Sequence, residues 1–339
     1  NKDQNNPKDV ISKLHQIYSE EILYMNQTII EYIECEESMI TDAAKHLINS
    51  GGKRIRPLMT ILSAKLMGAG AQEVNYLKLA AATELIHTAT LLHDDVVDSS
   101  LLRRFQPTVN AIWGNQEAIL VGDFLFSVSF NLMVSANSLE ALGTLALSSS
   151  IIAKGEVSQL SQKKSKGFIT QEQYFKISSS KTAELFGSAC KVGGIIVNAG
   201  HKCVDLLYEF GLNLGLIYQI KDDIMDYYSD SAIMGKNIGD DFYEGKITLP
   251  IILLRDALDP VNRVFLEKIF TEDEKARTKE NLERVIFLLK KMDIATKLNL
   301  KIDELSKKAL DCLDKIEDKE SETKIYMREL VNFASNRVS

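Results

Sequence analysis

Proline and glycine are scarce, five and eighteen in 339 residues, so the chain has few of the residues that stop helices or force tight turns. No sustained alternation of apolar and polar residues appears, which removes the half-buried sheet as the basis of the fold. Cysteine occurs four times, at Cys35, Cys190, Cys203 and Cys312. There is no C-x-x-C and no histidine at zinc-ligand spacing, so neither a zinc site nor a disulfide framework is expected. A surplus of positive charge is also missing. The formal net charge is −7, which argues against nonspecific nucleic-acid binding. No uninterrupted apolar run of about 20 residues is visible, and no bilayer span is expected. The opening residues, NKDQNNPKD, lack the apolar stretch of a secretory signal and do not begin with Met. Residues 1–9 are therefore expected to be a disordered leader, with any native address already trimmed away.

What is abundant is apolar residue, 45% of the chain, enough to fill a substantial core. The length suits one large helical domain covering residues 1–339. From Val10 to Asn49, apolar residues at helical intervals (Leu14, Ile17, Ile22, Ile29, Ile33) predict two helices. Thr170 with Gln173 reads as a capping box, and Thr271 with Glu274 as another. The run from Ser161 to Gly167 is polar and basic and reads as an exposed loop.

The chain is organised around ELIHTATLLHDDVVDSSLLRR, Glu84 to Arg104. Asp94 and Asp98 fall one helical turn apart on one face, with Asp95 beside them and apolar neighbours all round. Like charges in an apolar helix need a positive partner. With oxygen ligands only, the economical one is a hard divalent cation such as Mg²⁺. A single Asp-Asp-x-x-Asp is common on solvated helices, but Asp222, Asp223 and Asp226 repeat the spacing on a second apolar helix. Cationic groups gather elsewhere. In GGKRIRP, Gly51 to Pro57, two glycines end one helix, Pro57 fits the first turn of the next, and Lys53, Arg54 and Arg56 crowd a turn suited to an anion. Arg103 and Arg104 follow the first aspartates and suit neighbouring diphosphates. Lys181-Thr182 reads as a phosphate clamp, and Gln219 stands one turn before the second aspartates. Residues 230–245 are rich in Gly and Asp, consistent with a mobile lid that holds Lys236, Asp240 and Asp241 and leads to Lys246.

These motifs occur in an order, with LVGDFLF, KGEVSQL, SKTAELF, YQIKDDIMDY and GKNIGDDFYEGKITLP, that resembles the trans-isoprenyl diphosphate synthases, most of all the long-chain polyprenyl type. The resemblance runs from about Ile40 to Leu254. It implies an all-α bundle of the isoprenoid synthase type with a central active-site cavity, and an enzyme that adds isopentenyl diphosphate to an allylic diphosphate, farnesyl or geranylgeranyl, for quinone side chains. It implies magnesium, three ions per active site with substrate bound, held by Asp94, Asp95, Asp98, Asp222, Asp223 and Asp226. Arg103, Lys181 and Lys246 would neutralise the allylic diphosphate. Lys53, Arg56, His87 and Arg104 would hold isopentenyl diphosphate, Gly52 and Lys236 would be further substrate-binding residues, and Thr182 and Gln219 would face the reacting carbon. Ala89 and Thr90, just below Asp94, would set product length. Phe105, where the long-chain type usually has Gly, and Lys221, where it often has an apolar residue, depart from the pattern. A homodimer, peripheral membrane contact for product release, and a bacterial cytoplasmic, mitochondrial or plastid location are further implications. The rivals are a shorter-chain synthase, a noncatalytic subunit, a class I terpene cyclase and a calcium-binding protein. Cyclases normally lack the second cluster and the Gly-Gly-Lys-x-x-Arg site, noncatalytic subunits tend to lose aspartates, and no Asp-x-Asp-x-Asp-Gly loop occurs.

Overall fold

The computed structural model describes residues 7–49, 52–70, 72–103, 106–165, 167–228, 239–272, 274–317 and 321–337. Among these the only strands are β1 (Leu102–Arg103) and β2 (Gln106–Pro107), a two-residue antiparallel pair. Everything else regular is helical, as the shortage of breakers requires.

The N-terminal stretch forms three helices where two are expected: α1 (Pro7–Ile17), α2 (Ser19–Ile33) and α3 (Ser38–Asn49). The first break hides from a periodicity argument because Tyr18, at the bend, is itself buried and keeps the apolar face continuous. Its N–H still reaches Leu14 O at 2.9 Å and its carbonyl accepts from Ile22 N at 3.0 Å. α1 begins at Pro7, inside the expected leader.

The chain packs into two compact units, neither of them a contiguous stretch. The first comprises residues 1–149, 185–211 and 312–330. Its axis is α5 (Asn75–Val97), which packs on α2, on α4 (Ile55–Leu66) and on α7 (Asn115–Ser135). Leu79, Ala80, Ala81, Ala82, Leu85, Ile86, Ala89 and Leu92 of α5 are all buried. A helix apolar on every side is a core helix. The short α6 (Val109–Trp113) leads into α7, and α8 (Leu139–Ser165) starts in this unit.

α7 bears on the expectation that no segment spans a bilayer. Its best 18-residue window has a mean hydropathy of 1.7, long and apolar enough to cross a membrane by length and composition alone. Asp123 and Asn131 interrupt it, so a search for an unbroken apolar run passes over it. Its buried positions, Ala118, Val121, Gly122, Leu125, Val128, Ser129, Leu132 and Met133, recur at three- and four-residue steps, the pattern of a helix packed along one face.

The second unit comprises residues 150–184, 212–311 and 331–339. It holds the end of α8, α9 (Gln171–Ser178), and a π-helical turn at Ser179–Ala183 that runs into α10 (Glu184–Ile196). Most of α11 (His201–Tyr228) follows, then α12 (Asp240–Glu244), α13 (Leu249–Ala257), α14 (Pro260–Thr271), α15 (Lys279–Lys291) and most of α16 (Ile294–Lys315). The end of α17 (Ser321–Asn336) returns to it. The Thr170–Gln173 capping box forms with both reciprocal hydrogen bonds. The second expected cap does not. Thr271 ends α14, its hydroxyl donating to Glu267 O, and Thr278 caps the next full helix by accepting from Asn281 N. A Ser or Thr three residues before Glu cannot by itself tell a helix start from a helix end.

Candidate active site

In the first unit α5 delivers the first aspartates at its C-terminal end. Asp98 is the cap residue, and its N–H bonds Asp94 O at 2.8 Å, so the two carboxylates do stand one turn apart. Asp95 points the other way. It is 2% exposed, and both its oxygens accept from Arg103, at 3.1–3.2 Å from Nε and 2.8 Å from Nη2. The short β1–β2 pair carries Arg103 back to the helix end it left eight residues earlier. The metal-ligand expectation thus divides here: Asp94 and Asp98 share a face, while Asp95 orients a guanidinium.

Two turns down α5, His87 Nε2 accepts from Arg56 Nη1 at 3.0 Å, and the Arg56 guanidinium lies 4.6 Å from the Phe186 ring centre. Arg56 and His87 are 31 positions apart in sequence, yet the fold joins these two expected anion contacts. Gly52 and Lys53 are exposed beside them in sequence. Arg54, the third cation of the turn, has a structural task. It sits in the left-handed region at φ 43° and donates to Ile48 O at 3.2 Å and to Asn26 Oδ1, tying the turn to α2 and α3. Ala89 is 1% exposed, and the Thr90 hydroxyl donates back to His87 O at 2.8 Å. His93, beside the aspartates, turns to α7, with Ile119 O at 3.2 Å and Asp123 at 3.4 Å. Arg104, Phe105 and Lys236 lie outside the described residues.

In the second unit the π-helical turn carries both Lys181 and Thr182. Such single-turn widenings cluster at functional sites. Lys181 Nζ donates to Glu156 Oε2 at 2.8 Å and Gln159 Oε1 at 3.0 Å. Gly155 allows α8 this close: a Cβ there would lie 2.9 Å from Ser180 Cβ and 3.2 Å from Lys181 N. Thr182 Oγ1 donates to Gln219 Oε1 at 2.7 Å, and Gln219 Nε2 donates to Asp223 Oδ1 at 2.8 Å. Lys246 Nζ pairs with Glu244 at 2.6 Å.

The second aspartates also divide. Asp223 is 2% exposed and accepts the Tyr174 hydroxyl at 2.5 Å. Burial, then the charges of Asp241 and Asp222, push its carboxyl up from the usual range, and the donors Tyr174 and Gln219 oppose that push. Asp226, also buried, accepts the Asp241 N–H at 3.2 Å and, through its carbonyl, the Gly239 N–H at 2.9 Å. Asp222 is the solvent-facing member and accepts from Arg337 Nη2. Arg337 donates as well to Tyr218 O at 3.0 Å and lies 4.4 Å from that ring's centre. Lys221, the departure from the family pattern, is half-buried. Burial first and the Arg337 charge second lower its pKa.

Among the described residues no group of three or more His, Cys, Asp or Glu side chains forms a ready metal cage. Paired carboxylates with oxygen donors only, and a buried carboxyl burdened by acidic neighbours, nonetheless fit a hard cation. Mg²⁺ keeps several waters and takes one or two carboxylates plus substrate phosphate.

Sequence reasoning passed over Tyr174 and Arg337, which sit 49 and 115 positions from the aspartates they bond. No local spacing announces either.

A family model described as polyprenyl synthetase matches residues 37–286. An octaprenyl diphosphate synthase from Escherichia coli K12 is 38% identical over 242 residues, 71% of this chain and 74% of that one. An all-trans-nonaprenyl-diphosphate synthase (geranyl-diphosphate specific) from Rhodobacter capsulatus is 44% identical, over 67% and 69% of the two chains. A solved polyprenyl synthase from Caulobacter crescentus CB15, complexed with calcium and isoprenyl diphosphate, superposes with a TM-score of 0.88 at 38% identity, covering 97% of this chain and 98% of that one.

Proposed function

This chain belongs to the polyprenyl synthetase family, and from that premise we propose that it is a prenyltransferase that lengthens an allylic diphosphate with isopentenyl diphosphate units to an all-trans polyprenyl diphosphate of the long-chain type. The relatives at 38–44% identity carry octaprenyl and nonaprenyl names, which favours long products over geranylgeranyl. The observation that carries the reading lies on α5. Arg56 of α4 donates to His87, which stands seven residues before Asp94, about 10 Å along the helix axis, and a cation so placed suits a second diphosphate beside one held at the aspartates.

Magnesium, on which the family depends, would supply Lewis-acid neutralisation of the allylic diphosphate when bound; Asp94 and Asp98 of the first unit, and separately Asp222 of the second, are the carboxylates proposed to hold metal ions. Arg103 in the first unit, and Lys181 and Lys246 in the second, are the cations proposed to neutralise diphosphate, Arg103 and Lys181 each already set by acidic partners. Lys53, Arg56, His87 and Arg104 hold isopentenyl diphosphate, so that its double bond meets the allylic carbon without a bimolecular encounter. Once the C–O bond breaks, the Thr182 and Gln219 oxygens face the allylic cation. The new C–C bond leaves a tertiary cation, which loses a proton to the departing diphosphate. A homodimer, quinone side-chain supply and product delivery to a membrane surface complete the reading.

Incubation of the purified chain with labelled isopentenyl diphosphate, farnesyl diphosphate and Mg²⁺, followed by chromatography of the products, tests it. Products of about eight or more isoprene units are expected, and products that stop at geranylgeranyl would support the shorter-chain alternative. Ala89→Phe puts a bulky ring at the position five residues below Asp94. It is expected to shorten the products while leaving the first condensation intact; unchanged product length would remove Ala89 from the tunnel.

A further inference from the structure

Four side chains of the second unit form one hydrogen-bonded chain. Tyr174, on α9 and 5% exposed, donates to Asp223 Oδ2. Asp223 Oδ1 accepts from Gln219 Nε2, and Gln219 Oε1 accepts from Thr182 Oγ1. Tyr174 lies on the helix that leads into the π-helical turn, eight residues before Thr182 within it, whereas Gln219 and Asp223 are one turn apart on α11. The chain therefore pins the widened turn and its approach to a single face of α11.

The direction of each link is fixed by a group that only accepts. Both Asp223 oxygens accept, one from Tyr174 and one from Gln219 Nε2, so the Gln219 amide turns its nitrogen toward Asp223 and its oxygen toward Thr182. The one Thr182 proton is then committed to Gln219. What Thr182 offers in every other direction is lone-pair density, the sign of dipole that steadies a positive carbon.

Resting on the prenyltransferase reading, we propose that Tyr174 is a positioning residue which, through Asp223, sets the orientation of Gln219 and the polarity of Thr182 toward the allylic cation. Asp223 on this view acts as the hub of the hydrogen-bonded chain, and the loss of either of its donors loosens the far end. The effect belongs to the chemical step, because Tyr174 is buried and acts through Asp223.

The test compares full-length wild type, Tyr174→Phe, Thr182→Val and the double variant, each checked for folding by circular dichroism. kcat, both KM values and the share of primer released as the allylic alcohol, the product of water capturing the cation, are measured with farnesyl diphosphate, isopentenyl diphosphate and Mg²⁺. Tyr174→Phe is expected to lower kcat about tenfold, to hold both KM values within about twofold, and to raise the alcohol share. The double variant is expected to be no slower than Thr182→Val alone, since both changes break one chain. A folded Tyr174→Phe enzyme with wild-type kcat, or multiplicative losses in the double variant, would overturn the proposal. Should Tyr174→Phe not fold, Asp223→Asn replaces it: its amide lets Gln219 flip, and an unchanged kcat there overturns the proposal equally. A wild-type enzyme that makes no polyprenyl product would instead defeat the prenyltransferase reading itself.

Discussion

Arg103→Ala is expected to lower kcat/KM by about 10²- to 10³-fold, the usual cost of removing one preorganised charge-stabilising donor from a reaction centre, and to weaken the fold as well. The two losses share a cause. Asp95 is 2% exposed and takes hydrogen bonds from two nitrogens of Arg103. Removing the guanidinium leaves a buried carboxylate without its counter-ion, a change that costs about 3–5 kcal/mol when one partner of a buried pair is deleted. Arg103→Lys keeps the charge but loses the planar fork, so an intermediate loss in both quantities is expected. Steady-state kinetics with urea unfolding separate the effects. An Arg103→Ala protein as stable as wild type would show that Asp95 does not depend on this partner.

Gly193→Ala is expected to be a damaging single-methyl change in the first unit. α10 meets α4 so closely that a Cβ at 193 would lie 2.5 Å from Thr60 O, 2.8 Å from Ser63 Cβ and 3.0 Å from Ala64 N. Two of those atoms are backbone, so relief requires the helices to part, and overpacking of that kind costs about 1–3 kcal/mol. The helical preference of Ala over Gly returns at most about 1 kcal/mol, so the clash prevails. Gly143, on α8 with nothing within 4 Å of its added Cβ, supplies the control. There the same substitution should raise stability by about 0.5–1 kcal/mol. Thermal unfolding of both variants checks the pair, and a Gly193→Ala midpoint at or above wild type would show that the helices yield without cost.

Much of this could be read from the chain because periodicity and composition are local. The helices, the one-turn relation of Asp94 to Asp98 and the Thr170 cap all follow from neighbours within a few positions. Pairings across long separations could not be read. Arg56 to His87 emerged as a contact only because α4 packs on α5, and Tyr174 was silent because an amphipathic helix accommodates a buried tyrosine without requiring a distant acceptor. The break at Tyr18 and the end of α14 at Thr271 show the complementary failure: a smooth pattern concealed a bend, and a well-formed cap signature fell on the wrong end of a helix. The aspartates teach a third point. Six identical side chains at two identical spacings look equivalent in sequence, yet burial gives Asp95 and Asp223 internal partners and leaves Asp222 facing solvent.

The Arg337 contact has a practical corollary at the bench. Arg337, the residue after α17, grips Asp222 from 115 positions away, so a truncation or a purification handle placed close behind it would disturb that grip. Recombinant protein intended for kinetics should keep the stretch around Arg337 unaltered, and any preparation altered there should be compared with an unaltered one before a weak turnover is blamed on the enzyme.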